Sequence, residues 1–344
     1  MMRLPLFDFR APRTVDEAAR ILDGEGAKAT LLAGGTDLLP NMKRRQQVPQ
    51  TLISLRNVKG LDSVRVDGTS LRLGSCLTLT GIARDGRFRN GCSALWQAAS
   101  LVATPLIRNL ATLGGNVCLD TRCLYYDQSY EWRKAIHFCL KKDGGTCWVA
   151  SGSDRCMAVS STDTAPALIA LGAKVQLQSR SEEREVALLD LYNNDGTNYL
   201  TRRPNEIVTE ISLGSLEGWT STYWKLRRRS SFDFPVVSVA AAARMTNGVV
   251  EDARIVLGAV ASRPIVADEA AKSLLGRGLD QEGIAKAASL ASRLAKPLSN
   301  TDFDMSWRKK VTSEFVTYAL RELRGDDMRA ERRQLSGHDE YAFS

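Results

Sequence analysis

Between residues 118 and 160 the chain loses a pattern that it keeps almost everywhere else. Upstream, short apolar strands alternate with short amphipathic helices. Thr14-Val15-Asp16-Glu17 has the form of a capping box, in which Thr14 accepts from a first-turn amide and Glu17 reaches back. The helix it opens carries Val15, Ala18, Ala19 and Leu22 on one face and ends at Gly24 and Gly26. Strands fit Ala29–Ala33, Thr51–Leu55 and Ser70–Leu73, and a helix fits residues 94–103. Residues 118–160 instead gather Cys, Trp, Tyr, Lys and Gly with weak periodicity. A long irregular insert in a compact domain is functional or disordered. Pattern returns with a helix at 165–171 and a strand at 174–177.

A second region begins near residues 215–225. Val236–Met245 and Val249–Val260 read as two strands joined by Asn247-Gly248, a strong hairpin turn. Helices follow at about 266–275, 280–295 and 305–323, the last with a stripe of Trp307, Val311, Phe315 and Ala319. Residues 326–344 are polar and read as a frayed tail. The 344 residues favour two domains, with an α+β fold class.

The net charge of +8 is spread along the chain, with small clusters at Lys43-Arg44-Arg45 and Arg227-Arg228-Arg229. It reads as a solvated surface, or as contact with an anionic cofactor or partner, and nothing has the form of a nucleic-acid module. No apolar run reaches the roughly 18 residues of a membrane span, and the first five residues lack a signal-peptide core. The expectation is a cytoplasmic protein with reduced thiols.

Five of the seven cysteines, Cys118, Cys123, Cys139, Cys147 and Cys156, fall within the insert region. In a reducing compartment such a group points to metal before disulfides. The spacings between Cys123, Cys139, Cys147 and Cys156 are 16, 8 and 9 residues, which match neither paired CxxC zinc ligands nor the bacterial ferredoxin run. Spacing alone therefore says only that four thiolates can converge. With His137 and His338 the sole histidines, a His-rich zinc site is disfavoured.

Two glycine pairs stand out. Ala33-Gly34-Gly35-Thr36-Asp37 follows a strand, and Thr112-Leu113-Gly114-Gly115-Asn116 precedes the insert. Paired glycines let backbone amides close on an anion and form a nest for phosphate oxygens. Neither is a GxGxxG fingerprint or a P-loop. A lone pair of this kind is more often a tight turn.

Together and in order, Ala33–Leu38, Ala111–Asn116, Thr162-Asp163-Thr164-Ala165-Pro166-Ala167-Leu168, Lys225–Arg229, Phe232–Ala240 and Gly258–Pro264 resemble the flavin-carrying subunits of the molybdenum hydroxylases, the xanthine and carbon monoxide dehydrogenase family. The resemblance spans about residues 4–324. It implies a two-part FAD-binding domain of the PCMH type over residues 1–217, containing the insert at 118–160, then a small antiparallel sheet with helices over 218–325, then the tail at 326–344. It implies that Ala33, Gly34, Gly35, Thr36 and Asp37, with Thr112, Gly114, Gly115 and Asn116, hold the FAD diphosphate. Asp163 would bind the cofactor by hydrogen bonds, and Val208 and Lys225 match positions near the flavin ring. Lys225 is read either as a cation stabilising reduced flavin or as an ordinary surface lysine.

The insert resembles that of the 4-hydroxybenzoyl-CoA reductase subgroup, whose flavin subunit binds a [4Fe–4S] cluster. On that resemblance Cys123, Cys139, Cys147 and Cys156 are the cluster ligands and Cys118 lies beside the flavin loop. Tyr125, Trp132 and Trp148 either shield the cluster or only pack the insert. The partners implied are a molybdopterin-binding large subunit and a small subunit with two [2Fe–2S] clusters, in a dimer of heterotrimers. Electrons would pass from reduced ferredoxin through cluster and FAD toward molybdenum, where 4-hydroxybenzoyl-CoA loses its phenolic hydroxyl. No catalytic residue is assigned to this chain. Two rivals remain open: the flavin subunit of an oxidising molybdenum hydroxylase acting on another substrate, and a zinc-stabilised binding module on a flavin fold.

Overall fold

Three sheets organise the chain in a computed structural model that describes residues 3–229 and 232–336. The first is small and parallel. Its strands β1 (Asp8–Arg10), β2 (Ala29–Leu32) and β3 (Thr51–Ser54) lie in the order β1-β3-β2. The second contains β4 (Val64–Asp67), β5 (Ser70–Gly74), β6 (Lys174–Gln178), β7 (Glu183–Ala187) and β8 (Ile207–Leu213), antiparallel in the order β4-β5-β8-β6-β7. The third contains β9 (Trp219–Leu226), β10 (Val237–Thr246), β11 (Val249–Gly258) and β12 (Ile265–Val266), antiparallel in the order β12-β11-β10-β9. The α+β architecture follows, and no described helix is long and apolar enough to cross a membrane.

The helix Val15–Glu25 starts at Thr14, whose hydroxyl accepts from the Glu17 amide at 3.1 Å. Glu17 reaches one residue further back than a capping box requires, to the Arg13 amide at 2.9 Å. Ala18, Ala19 and Leu22 are buried as their spacing predicts, against Ile53 and Leu55. The turn at Asn247-Gly248 has φ of 53° and 79°, the left-handed pair that this hairpin demands.

β9 joins the two halves. Its alternation sends Tyr223 into the core of the first half, while Trp224 faces the helices of the second. Trp224 meets Phe315 edge-on at 6.4 Å and Tyr318 at 5.2 Å, both on the helix Met305–Arg324. β9 is an edge strand tied to the helix Ser93–Leu101: Gln97 on that helix accepts from the Tyr223 amide of β9 at 2.6 Å, and the Ser221 hydroxyl of β9 accepts from the helix's Ala94 amide at 3.1 Å.

Two expectations change here. Trp307 is off the apolar stripe, 41% exposed and stacked on Phe303 at 5.0 Å. The position beside it, Arg308, is buried instead, because its guanidinium donates to the carbonyls of Val236, Leu298 and Ala259. The tail is also partly ordered. Met328 is buried, and Arg329–Ser336 forms a helix whose Arg332 pairs with Glu322 and stacks on Trp224 at 4.0 Å. Residues 337–344 of that expected tail, with His338, lie outside the described residues.

Phe315→Ala empties the contact that fixes the Met305–Arg324 helix to β9. A loss of about 3–5 kcal/mol is expected for a buried phenylalanine truncated in this way, measured as a lowered thermal or urea midpoint with FAD content followed in parallel.

Candidate functional site

Gly34 sets the shape of the cavity between the two glycine loops. A Cβ on Gly34 would lie 2.0 Å from the carbonyl oxygen of Leu110, just ahead of the second glycine loop. The two loops therefore touch backbone to backbone, which only glycine allows. Gly35 has φ +73° and turns the chain out of β2 into the helix Leu38–Lys43. The cavity between the loops has a volume of about 390 Å³. Ala33, Gly34, Gly35, Thr36, Asp37, Thr112, Gly114, Gly115, Asn116, Asp163 and Val208 all line it. So does Cys118, beside the second loop.

The two loops are not equivalent nests. Gly114 donates its amide to the Ser75 carbonyl at 2.7 Å, Gly115 to the Thr112 hydroxyl at 3.1 Å and Asn116 to the Thr112 carbonyl at 2.9 Å. Those amides are spent on capping the short helix Leu113–Val117. Among the described residues, the amides of Gly35, Thr36 and Asp37 have no protein acceptor, so open donors gather on the first loop. Asn116 is a strut: its Oδ1 accepts from the hydroxyls of Thr162 (2.9 Å) and Thr164 (2.7 Å) and from the Thr164 amide (3.0 Å). It thereby ties the acidic motif to the second loop.

Asp163 is buried on the cavity wall. Its two oxygens accept from the Tyr223 hydroxyl at 2.6 Å and from Lys225 Nζ at 3.0 Å. Lys225 also donates to the Leu101 carbonyl at 2.9 Å. It is neither a surface lysine nor on the cavity wall, but stands behind Asp163. Burial pushes the Asp163 carboxyl up and the Lys225 ammonium down, each opposed by the charge of the other.

Several wall residues, Ser75, Ser161 and Arg202 among them, carry no sequence signal, whereas Arg229 and Phe234 lie in the 225–229 and 232–240 motifs. Ser75 and Ser161 present buried hydroxyls with no partner. Arg202 adds positive charge, Arg229 is paired with Asp233 on the same wall at 3.0 Å, and Val102, Ile107, Leu119 and Phe234 add apolar surface. Loop glycines, orphan hydroxyls, a cation and an apolar wall fit an extended anionic dinucleotide with a flat ring, such as FAD.

The insert is a closed loop, cinched where Arg122 and Val159 exchange two backbone hydrogen bonds of 2.8 and 2.7 Å. Within it the chain takes left-handed turns at His137, Phe138 and Asp143 around Cys139. A Cβ on Gly144 would come within 2.7 Å of the Cys139 nitrogen, and Trp148 caps the Phe138 carbonyl at 2.5 Å. Cys123, Cys139, Cys147 and Cys156 all line one small cavity of about 10 Å³, together with Tyr125 and Trp148. Trp132 is outside it, packed on Tyr125 at 6.4 Å. All four cysteines are free and buried. Burial pushes the Cys123 thiol up to about 12, and the other three thiols add to this. Burial likewise raises Cys156, against the Ala158 amide and the Lys141 cation. Among the described residues, no three His, Cys, Asp or Glu side chains are arranged to hold a metal ion.

Two outcomes test the larger site. Gly34→Ala forces the loops apart and is expected to abolish stoichiometric FAD, whereas Gly24→Ala, whose Cβ meets nothing within 4 Å, retains it. Lys225→Met leaves Asp163 buried without its cation, at an expected cost of about 3–5 kcal/mol. The carboxyl pKa then rises further above its unfolded value, so the contribution of Asp163 to stability is fully present below the unfolded pKa and is lost as pH rises through the folded pKa. Thermal midpoints across a pH series, for this variant and for Lys225→Met with Asp163→Asn, check the sign.

Residues 5–215 match the FAD binding domain in molybdopterin dehydrogenase, and residues 221–323 match the CO dehydrogenase flavoprotein C-terminal domain. The carbon monoxide dehydrogenase medium chain of Afipia carboxidovorans is 27% identical over 91% of this chain and 95% of its own length. The aldehyde oxidoreductase FAD-binding subunit of Escherichia coli is 32% identical over 69% of this chain and 76% of its own. The structure of carbon monoxide dehydrogenase from Hydrogenophaga pseudoflava superposes with a TM-score of 0.77 at 26% identity, covering 93% of this chain and 97% of that one. With one family model matching well over half of its length, the chain belongs to the FAD-binding subunits of the xanthine and carbon monoxide dehydrogenase family of molybdenum hydroxylases.

Proposed function

We propose that this chain is the FAD-binding electron-transfer subunit of an oxidising molybdenum hydroxylase, whose substrate is bound and oxidised on a partner chain. The carrying observation is the cavity between two touching glycine loops, closed by Asp163. When bound there, FAD supplies one- and two-electron exchange. The open amides of Gly35, Thr36 and Asp37 would receive its diphosphate, with Arg202 adding positive charge. Asn116 and the Lys225–Tyr223 pair hold Asp163 in place for hydrogen bonding. Similar proteins are named as carbon monoxide, nicotinate and xanthine dehydrogenase subunits, which supports oxidation as the direction of use. As a medium chain it would assemble with a large molybdopterin subunit and a small [2Fe–2S] subunit.

One observation favours a second reading. Four buried thiols line a single cavity in the insert. Soft thiolates suit an iron–sulfur cluster, and the donor set contains no histidine that would favour zinc. Among the described residues no three such side chains are arranged to hold a metal ion, which counts against zinc and cluster alike. A [4Fe–4S] cluster held by Cys123, Cys139, Cys147 and Cys156 would make this the reductase type, with ferredoxin as donor and 4-hydroxybenzoyl-CoA as the acceptor reduced on the partner chain. The free cysteines suit a reducing compartment such as the cytoplasm.

Anaerobic purification with the partner chains separates the readings. About four iron atoms in this subunit, lost from a Cys139→Ser, Cys147→Ser variant that keeps its FAD, is the reductase outcome. FAD without iron in this subunit, and substrate-dependent reduction of the flavin, is the oxidising outcome. A protein that contains zinc and no flavin overturns both.

A further inference from the structure

The flavin cavity and the cysteine cavity share a wall, and that wall is an ion pair. Asp120 lines the first and Lys141 lines the second. Lys141 Nζ is 2.8 Å from Asp120 Oδ1, and the two side chains are 6% and 8% exposed. All three ammonium hydrogens are committed: the others go to the Thr121 hydroxyl at 2.7 Å and the Gly196 carbonyl at 2.6 Å. The ammonium also lies 4.9 Å from the ring centre of Tyr126, which lines the cysteine cavity, and 5.4 Å from that of Tyr199, which lines the flavin cavity. The Tyr126 hydroxyl returns to Asp120 Oδ2 at 3.3 Å. A cation with no spare hydrogen bond, fixed between two aromatic rings, cannot swing away from either cavity.

Structure alone does not require such a pair. A buried ion pair gives little net stability compared with an apolar filling, and this one stands between two sites. Fixed charges in a dry wall act strongly on neighbouring groups that gain or lose electrons.

We propose that Asp120 and Lys141 are a positioning pair that ties the two cavities electrostatically, so that the reduction potentials of their occupants move together. The flavin half rests on the family assignment, and the thiol half on the cluster reading above. Without Lys141 the Asp120 carboxylate is left uncompensated on the flavin cavity wall, one ion-pair length from the cysteine cavity, and added electrons are disfavoured. Without the carboxylate the ammonium is uncompensated, and added electrons are favoured.

The test is a spectroelectrochemical titration of the protein purified anaerobically with its partner chains. Lys141→Met is expected to shift the flavin midpoint potential down, and Asp120→Asn to shift it up. The double variant should return close to the parent value, because the two changes belong to one interaction. Opposite shifts with this recovery support the pair. FAD-replete variants whose potentials stay put, or move in the same direction, overturn it. If Lys141→Met fails to fold, the absence of an upward shift in Asp120→Asn overturns it alone. Any iron signal in this subunit is titrated in the same samples and should shift with the same sign; a flavin shift with an unmoved iron centre overturns the tie between cavities. If the parent subunit holds no iron, the cluster reading falls and the tie between cavities falls with it, an outcome the iron analysis distinguishes from unmoved potentials.

Discussion

The Asp163 carboxylate is where the two halves of the molecule meet. It lies on the wall of the cavity between the glycine loops, yet both groups that satisfy it, Tyr223 and Lys225, come from β9 of the second half. A buried carboxylate needs such partners, since desolvation of an isolated charge costs several kcal/mol. The cavity therefore has its full shape only when β9 is docked. β9 is docked in turn by Gln97 and Ser221 on one side and by Trp224 against the Met305–Arg324 helix on the other. The second half contributes no cavity-lining side chain from its helices. Its service to the site is transmitted through one strand.

Much of this was legible in the sequence because it is local. Thr14, the Asn247-Gly248 turn and the apolar faces of the helices follow rules of three or four residues' reach. The glycine loops were legible as loops, and the cavity gathers both. What escaped depended on distant partners. Arg308 is buried because three carbonyls contributed by Val236, Ala259 and Leu298 surround its guanidinium, and no local pattern announces that. β1 has three exposed residues and exists by backbone pairing with β3 alone. Loop two looks like an anion nest in one dimension, but Ser75 and Thr112 consume its amides in three. Lys225 was equally readable as surface or site, because only the fold reveals that Asp163 is its partner.

The four cysteines show the same division. Their spacing permitted convergence without specifying it, and the shared cavity comes from turns at His137, Phe138 and Asp143 that bend the chain back around Cys139. Left-handed backbone at three non-glycine residues is unfavourable. Here it is held by close packing at Gly144 and by the Trp148 indole on the Phe138 carbonyl.

The two hydrogen bonds between Arg122 and Val159 carry a consequence for how such a chain can change over generations. They bring entry and exit of the insert side by side, so the surrounding frame experiences it as a short connection whatever its contents. Each doubling of a closed loop costs only about 0.6 kcal/mol in chain entropy. A segment anchored this way can be lengthened, exchanged or shed with little disturbance to the frame around it.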